Sequence, residues 1–394
     1  MTKRSVAVCA LGLLVAACSS PASDGFDGGS SSSGSSGGSS GAASGSSGDT
    51  SGSSTGSGSG TVSGSSTGSS SGGPTDGGGV TFPDTGVAPF DAGAAMFATL
   101  TTDSFTVAPG AEVYKCQMFD NPFGGPVDLV WMDGEMSKGS HHFFLFNLGS
   151  VEQLAYSKTL VDCPGGGKEF HPFPYLSQQP SWTVTYPKAA DGSPMGYPLV
   201  SGNKLMINVH YLNSGATPIN PTVSIKIQAY KPGVVKTHVG TLFLNQINMS
   251  VPVGTTPVDT TSTWGGNPGA ASADGSYTIF TSWSHMHKWA TKFQALTNNQ
   301  PFYTEANWDS PQLWYHEPLP SGATNPTNTA TGATSPVHMA ASQSITWTCT
   351  YYNPPGPGAI SLTFGDSAQT NVMCIYLGQY YPASPTAPDV IHNL

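Results

Sequence analysis

The stretch Leu205-Met206-Ile207-Asn208-Val209-His210-Tyr211 alternates two kinds of side chain. Leu205, Ile207, Val209 and Tyr211 fall on one face of an extended strand, and Met206, Asn208 and His210 on the other. A period of two over seven residues predicts a strand with an apolar face turned inward. Similar short runs recur outward from it: Ser104–Ala108, Glu112–Met118, His141–Asn147, Thr222–Ala229, Thr241–Asn248, Tyr277–Trp283, Thr291–Leu296, Ser344–Tyr351 and Met373–Tyr381. Gly, Pro, Asn and Asp punctuate them, and no long segment keeps a 3.6-residue apolar period. The expectation is an all-β fold of paired β-sandwiches. Lys231-Pro232-Gly233 is the expected hinge, with one domain over 93–232 and a second over 233–394.

The ends carry different information. Lys3 and Arg4 precede an apolar run from Val6 to Ala17, too short to span a bilayer. It ends in Val15-Ala16-Ala17-Cys18, similar to the lipobox of bacterial lipoproteins, so residues 1–18 read as an export signal with Cys18 the lipidation site. Ser19 follows, with no aspartate to signal inner-membrane retention. The expected location is the cell envelope, on the outer membrane, with the lipid anchor as the only membrane contact. Residues 19–92 are dominated by Gly, Ser and Thr and read as a disordered tether. The formal net charge is −10 with no basic run, which argues against nucleic-acid binding.

Of the six cysteines, Cys9 lies in the signal and Cys18 is the lipid site, leaving Cys116, Cys163, Cys349 and Cys374. In an exported chain four such cysteines suggest two disulfides, with three possible connectivities. Sequence order favours Cys116–Cys163 and Cys349–Cys374.

The histidines divide by context. His285 and His287 are one residue apart in a strand and present two imidazoles on one face, with Trp283 and Trp289 flanking them. His141 and His142 are adjacent, so both reach one ion only where the strand starts or bends; Gly139 permits that. His210 is either a satisfied core residue or a ligand, with Asn208 on its face as a candidate hydrogen-bond partner. Met373, beside Cys374, is either core or a soft sulfur ligand favouring copper. His171, His238, His316, His338 and His392 have no partner at ligand spacing and read as structural or surface residues.

Five motifs occur in one order: Glu112-Val113-Tyr114-Lys115-Cys116, His141-His142-Phe143-Phe144-Leu145-Phe146, Asn208-Val209-His210-Tyr211, His285-Met286-His287 and Met373-Cys374. In this the chain resembles the copper type II, ascorbate-dependent monooxygenases, the family of peptidylglycine α-hydroxylating monooxygenase and dopamine β-monooxygenase. The resemblance implies two tandem jelly-roll-like β-sandwich domains, each holding one of two copper ions. It implies His141, His142 and His210 as ligands of an electron-transfer copper. His285, His287 and Met373 would ligate a catalytic, oxygen-binding copper, and Tyr114 and Asn208 would lie near the first ion. The family disulfides map onto the two pairs favoured above. The implied reaction is hydroxylation of a C–H bond of a small-molecule or peptide substrate, using O2 and ascorbate or another one-electron reductant. The chain departs from the family pattern where a substrate-binding arginine would stand, which is Trp283, and where a tyrosine would stand, which is Leu377 beside Tyr376. The alternative is a non-catalytic envelope lipoprotein that sequesters or senses copper.

Overall fold

The computed structural model describes residues 95–137, 139–163, 170–316, 325 and 329–393. The signal, Cys18 and the tether lie outside the described residues. The described residues fall within one compact unit, and their secondary structure is strands plus a single 3-10 turn, Glu152–Ala155.

Eleven strands precede residue 239: β1 Met96–Thr101, β2 Glu112–Phe119, β3 Val127–Met136, β4 Ser140–Leu148, β5 Val161–Asp162, β6 Tyr175–Ser177, β7 Ser181–Thr185, β8 Met195–Leu199, β9 Lys204–Leu212, β10 Val223–Tyr230 and β11 Thr237–His238. They form two sheets, one in the order β1-β10-β3-β8-β11 with β7 also on β3, the other β5-β2-β9-β4-β6. The two sheets meet at Gly134 of β3, where an added Cβ would lie 2.4 Å from the Tyr175 hydroxyl and 2.5 Å from the Phe143 ring. Any larger residue there would push the layers apart.

Thirteen strands follow: β12 Gly240–Gln246, β13 Ser250–Val251, β14 Val258–Trp264, β15 Tyr277–Met286, β16 Ala290–Thr297, β17 Gln300–Glu305, β18 Trp314–Tyr315, β19 Ala330–Gly332, β20 Val337–Met339, β21 Ile345–Tyr351, β22 Leu362–Thr363, β23 Cys374–Tyr381 and β24 Val390–Asn393. One sheet runs β18-β15-β23-β12-β24 with β20 also on β15, a second runs β14-β21-β16-β17-β19, and β13 pairs with β22. The two larger sheets are pinned by the Cys349–Cys374 disulfide between β21 and β23 and by the Trp347 indole N–H, which donates to the Cys374 carbonyl at 3.2 Å.

Both disulfides pair as sequence order favoured. Most predicted strands recur within one or two residues, but Ser104–Ala108 forms only the isolated bridge Val107–Ile219. The Lys231–Gly233 turn is present, with Gly233 at φ +98°. Past it the chain first pairs Thr237 and His238 in parallel with Met195 and Gly196, and changes sheets only after His238. Apolar side chains from both sets of sheets form one continuous core.

Strand β9 shows the consequence. Every residue from Leu205 to Tyr211 is buried, on both faces. On its polar face Asn208 lies against the Cys116–Cys163 disulfide, and His210 lies against Tyr114, His141 and His142.

Candidate metal centre

Gly139, at φ +98°, turns the chain into β4. The β4–β9 register slips between Ser140 and His142, so His141 is the extra residue of a β-bulge. A bulge re-aims one side chain that flat pleating would send to the opposite face. His141 and His142 consequently lie together, ring centroids 5.2 Å apart. His210 is the cross-strand partner of His142 on β9, with its ring 5.1 Å from His141 and 5.0 Å from His142.

His285 is the penultimate residue of β15, and His287 lies one residue beyond its end. They occupy one face, 5.3 Å apart. The docking of the later sheets carries both onto the first three histidines. His285 is 4.9 Å from His142 and 5.1 Å from His141, and His287 is 6.0 Å from His141. The five imidazoles form one cluster. Candidate ligand nitrogens of His141, His142 and His210 lie within 4.8 Å of one another, and so do those of His141, His285 and His287. His141 belongs to both trios. The two ligand sets expected one in each half are contiguous, because these faces pack on each other.

Met373 is buried and precedes β23 by one residue. The β15–β23 ladder ends at Met286–Cys374, so His287 and Met373 each lie one residue beyond the same end of it. The Tyr351 hydroxyl fixes this segment by donating to the Met373 carbonyl at 2.6 Å.

All five histidines are buried. Burial, reinforced by neighbouring imidazoles, holds His141, His142 and His285 well below the ordinary histidine range. Burial also lowers His210 and brings His287 down to about 3. Neutral imidazoles cannot serve as acids near neutral pH, but each offers a lone pair to a metal. His141 Nε2, His142 Nδ1, His210 Nδ1 and both nitrogens of His287 are buried without a hydrogen bond of regular geometry. Unsatisfied buried nitrogens are costly, and metal ions would satisfy them. The residues therefore fit an imidazole-ligated metal centre.

Two bracing residues had no assigned role in the sequence. Glu112 Oε1 lies 2.9 Å from His210 Nε2 and also accepts the Ala368 N–H at 2.9 Å, while Oε2 accepts the Ser367 hydroxyl at 2.9 Å. Partial burial raises the Glu112 carboxyl, but these bonds and the nearby His210 outweigh it and bring it down to about 2. Gln178 Oε1 lies 2.7 Å from His285 Nδ1, and its Nε2 donates to the Ser284 carbonyl at 2.7 Å. Glu112 could have been found by its period, two residues before Tyr114 on the same face of β2. Gln178 sits in a Ser-Gln-Gln-Pro segment with no such signal.

Tyr114 is the cross-strand partner of His210 and stacks on it. Asn208 does not bond to His210; its amide donates to Cys116 Sγ at 3.2 Å and Cys163 Sγ at 3.1 Å, so its role is to hold the disulfide against β9. Trp283 lines a recess with Trp182, Leu176, Leu313 and Gln178. Trp289 instead donates its indole N–H to the Gln369 carbonyl at 3.1 Å. His316 is satisfied in the core by Ser282 and the Ala333 carbonyl, and His171 by Tyr156.

No family model matches the chain, and no curated protein sequence does. Among solved structures, the major capsid protein P2 from bacteriophage PM2 matches at 9% identity over 73% of this chain and 97% of that one, with a TM-score of 0.30. A structure of infectious bursal disease virus, Gx strain, matches at 8% identity over 75% of this chain and 83% of that one, with a TM-score of 0.12. Likenesses this slight carry no argument about what the chain does.

Proposed function

We propose that the chain is a copper-dependent monooxygenase that hydroxylates a C–H bond of an organic substrate, using O2 and an external one-electron reductant such as ascorbate. The observation that carries the reading is the gathering of five buried, neutral imidazoles, four of them with unsatisfied nitrogens, at the positions where the family resemblance sets copper ligands. His141, His142 and His210 would hold one ion, and His285, His287 and Met373 the other. Bound copper would pass on electrons from the reductant and activate dioxygen for inserting one oxygen atom, the other leaving as water. Thioether sulfur favours copper, particularly Cu(I), over zinc or iron.

The chain's own residues supply placement. Glu112 and Tyr114 hold His210 in orientation, and Gln178 holds His285. Trp308 packs beside His141, ring centroids 6.1 Å apart. An export signal and Cys18 place this activity on the cell envelope in the same proposal.

The test is copper per chain by elemental analysis, then oxygen uptake with ascorbate and a screen for products one oxygen atom heavier. Two coppers with substrate-dependent uptake are expected. Two coppers without turnover on any substrate would favour a copper-sequestering or copper-sensing lipoprotein, and absence of copper binding would end both readings.

A further inference from the structure

We infer that Glu112 and Gln178 are positioning residues that decide, by hydrogen bonding from opposite sides of the cluster, which ring nitrogen of His210 and of His285 faces the metal. The inference rests on the proposed metal-binding role of these histidines. An ionised carboxylate only accepts hydrogen bonds, so the 2.9 Å contact with Glu112 requires the proton on His210 Nε2. The lone pair is then on Nδ1, the nitrogen that is buried and unpartnered. For His285 the logic runs through an amide. The Ser284 carbonyl can only accept, so the Gln178 end that faces it is the NH2. The other end, Oε1, is an acceptor and requires the proton on His285 Nδ1. The lone pair of His285 is then on Nε2. The two ligands present opposite nitrogens.

The bracing is reciprocal. Gln178, at the end of β6, reaches from the earlier sheets to a histidine of the later ones. Ser367 and Ala368, from the segment leading to Met373, fix the carboxylate that orients a histidine of the earlier sheets. His285 is thus oriented directly by a group from the other part of the chain, and His210 indirectly, through a carboxylate that the other part braces.

The experiment labels the full-length chain with 15N-histidine, removes metal with a chelator, and reads each tautomer from two-bond 1H–15N correlations. The wild type is expected to show His210 protonated at Nε2 and His285 at Nδ1. Glu112→Met should abolish the His210 preference and weaken Cu(I) binding about 10–100-fold, the size of effect known for such outer partners. Glu112→Gln should keep both, because one amide oxygen at the Oε1 position accepts from His210 and Ala368 together. Gln178→Met should abolish the preference at His285 alone. A wild type with the proton on His210 Nδ1 or His285 Nε2 would overturn the inference, whether or not the variants fold. So would an unchanged tautomer and affinity in Glu112→Met. Correct tautomers in a chain that binds no copper would sink the metal reading and leave the tautomer assignment standing.

Discussion

Tyr114 lies flat on His210, with ring centroids 3.9 Å apart and planes within 18°, and its hydroxyl donates to the Asp366 carbonyl at 2.7 Å. One side chain thereby backs a candidate ligand and ties β2 to the segment that ends at Met373. Tyr114→Phe keeps the stack and loses the hydrogen bond, a cost of about 1 kcal/mol. Tyr114→Leu also loses the ring contact, a further cost of about 0.5–1.5 kcal/mol. Thermal melts should rank wild type above Phe above Leu, with copper affinity reduced clearly only in the leucine variant. Equal melting points for all three would show that the stack contributes nothing.

Met373→Ile is close in volume and removes the sulfur. The expected outcome is weakened Cu(I) binding with Cu(II) binding less affected, because the thioether prefers the softer ion. X-ray absorption of the Cu(I)-loaded wild type should show a sulfur neighbour that the variant lacks. A wild-type spectrum without sulfur removes Met373 from the ligand set.

The disulfides close segments of 47 and 25 residues. The chain-entropy relation gives about 4 and about 3.5 kcal/mol for them, within the usual range of about 0–5. Replacing Cys116 and Cys163 by alanine should lower stability in denaturant melts and leave the Asn208 amide without its sulfur partners. Replacing Cys349 and Cys374 should also cut metal affinity, since Cys374 follows Met373 directly. Similar copper affinity in both double variants would contradict that distinction.

Acid should act through the histidines. His287 has a folded value of about 3 against 6.5 for the free group. Between these the unfolded chain binds more protons than the folded one, so metal-free stability falls as pH drops below 6.5. His287 alone contributes about 1.4 kcal/mol per pH unit through that window. Above pH 6.5 both states are neutral there and the effect vanishes. Glu112, lowered from 4.5 to about 2, adds to the loss below pH 4.5. Denaturant melts of metal-free protein from pH 8 to pH 4 should be flat at first and then fall steeply, and His287→Phe should flatten the fall. A slope unaffected by that substitution would mean His287 is not buried neutral.

Much of this was legible in the chain. Alternation in Leu205–Tyr211 and its counterparts marks strands, since the pleat repeats every two residues. Strand β3 was not expected, because Asp128, Asp133, Gly134 and Glu135 break the apolar pattern. Its partners on both sides supply the stability that its composition lacks. Asn208 was placed on the right face but with the wrong partner, because nothing local shows that a disulfide lies nearer than the imidazole.

By itself the sequence determined the all-β class and the favoured cysteine pairs, properties of local period and order, while the candidate ligands were what the family resemblance implied. Only the tertiary structure decided that five imidazoles share one cluster, that His141 is turned by a bulge into both trios, and that Glu112 and Gln178 select ring nitrogens across the join. The physical reason is range. A side chain's face follows from its neighbours two residues away, whereas a contact such as Gln178 with His285 depends on how sheets more than a hundred residues apart bury their common surface.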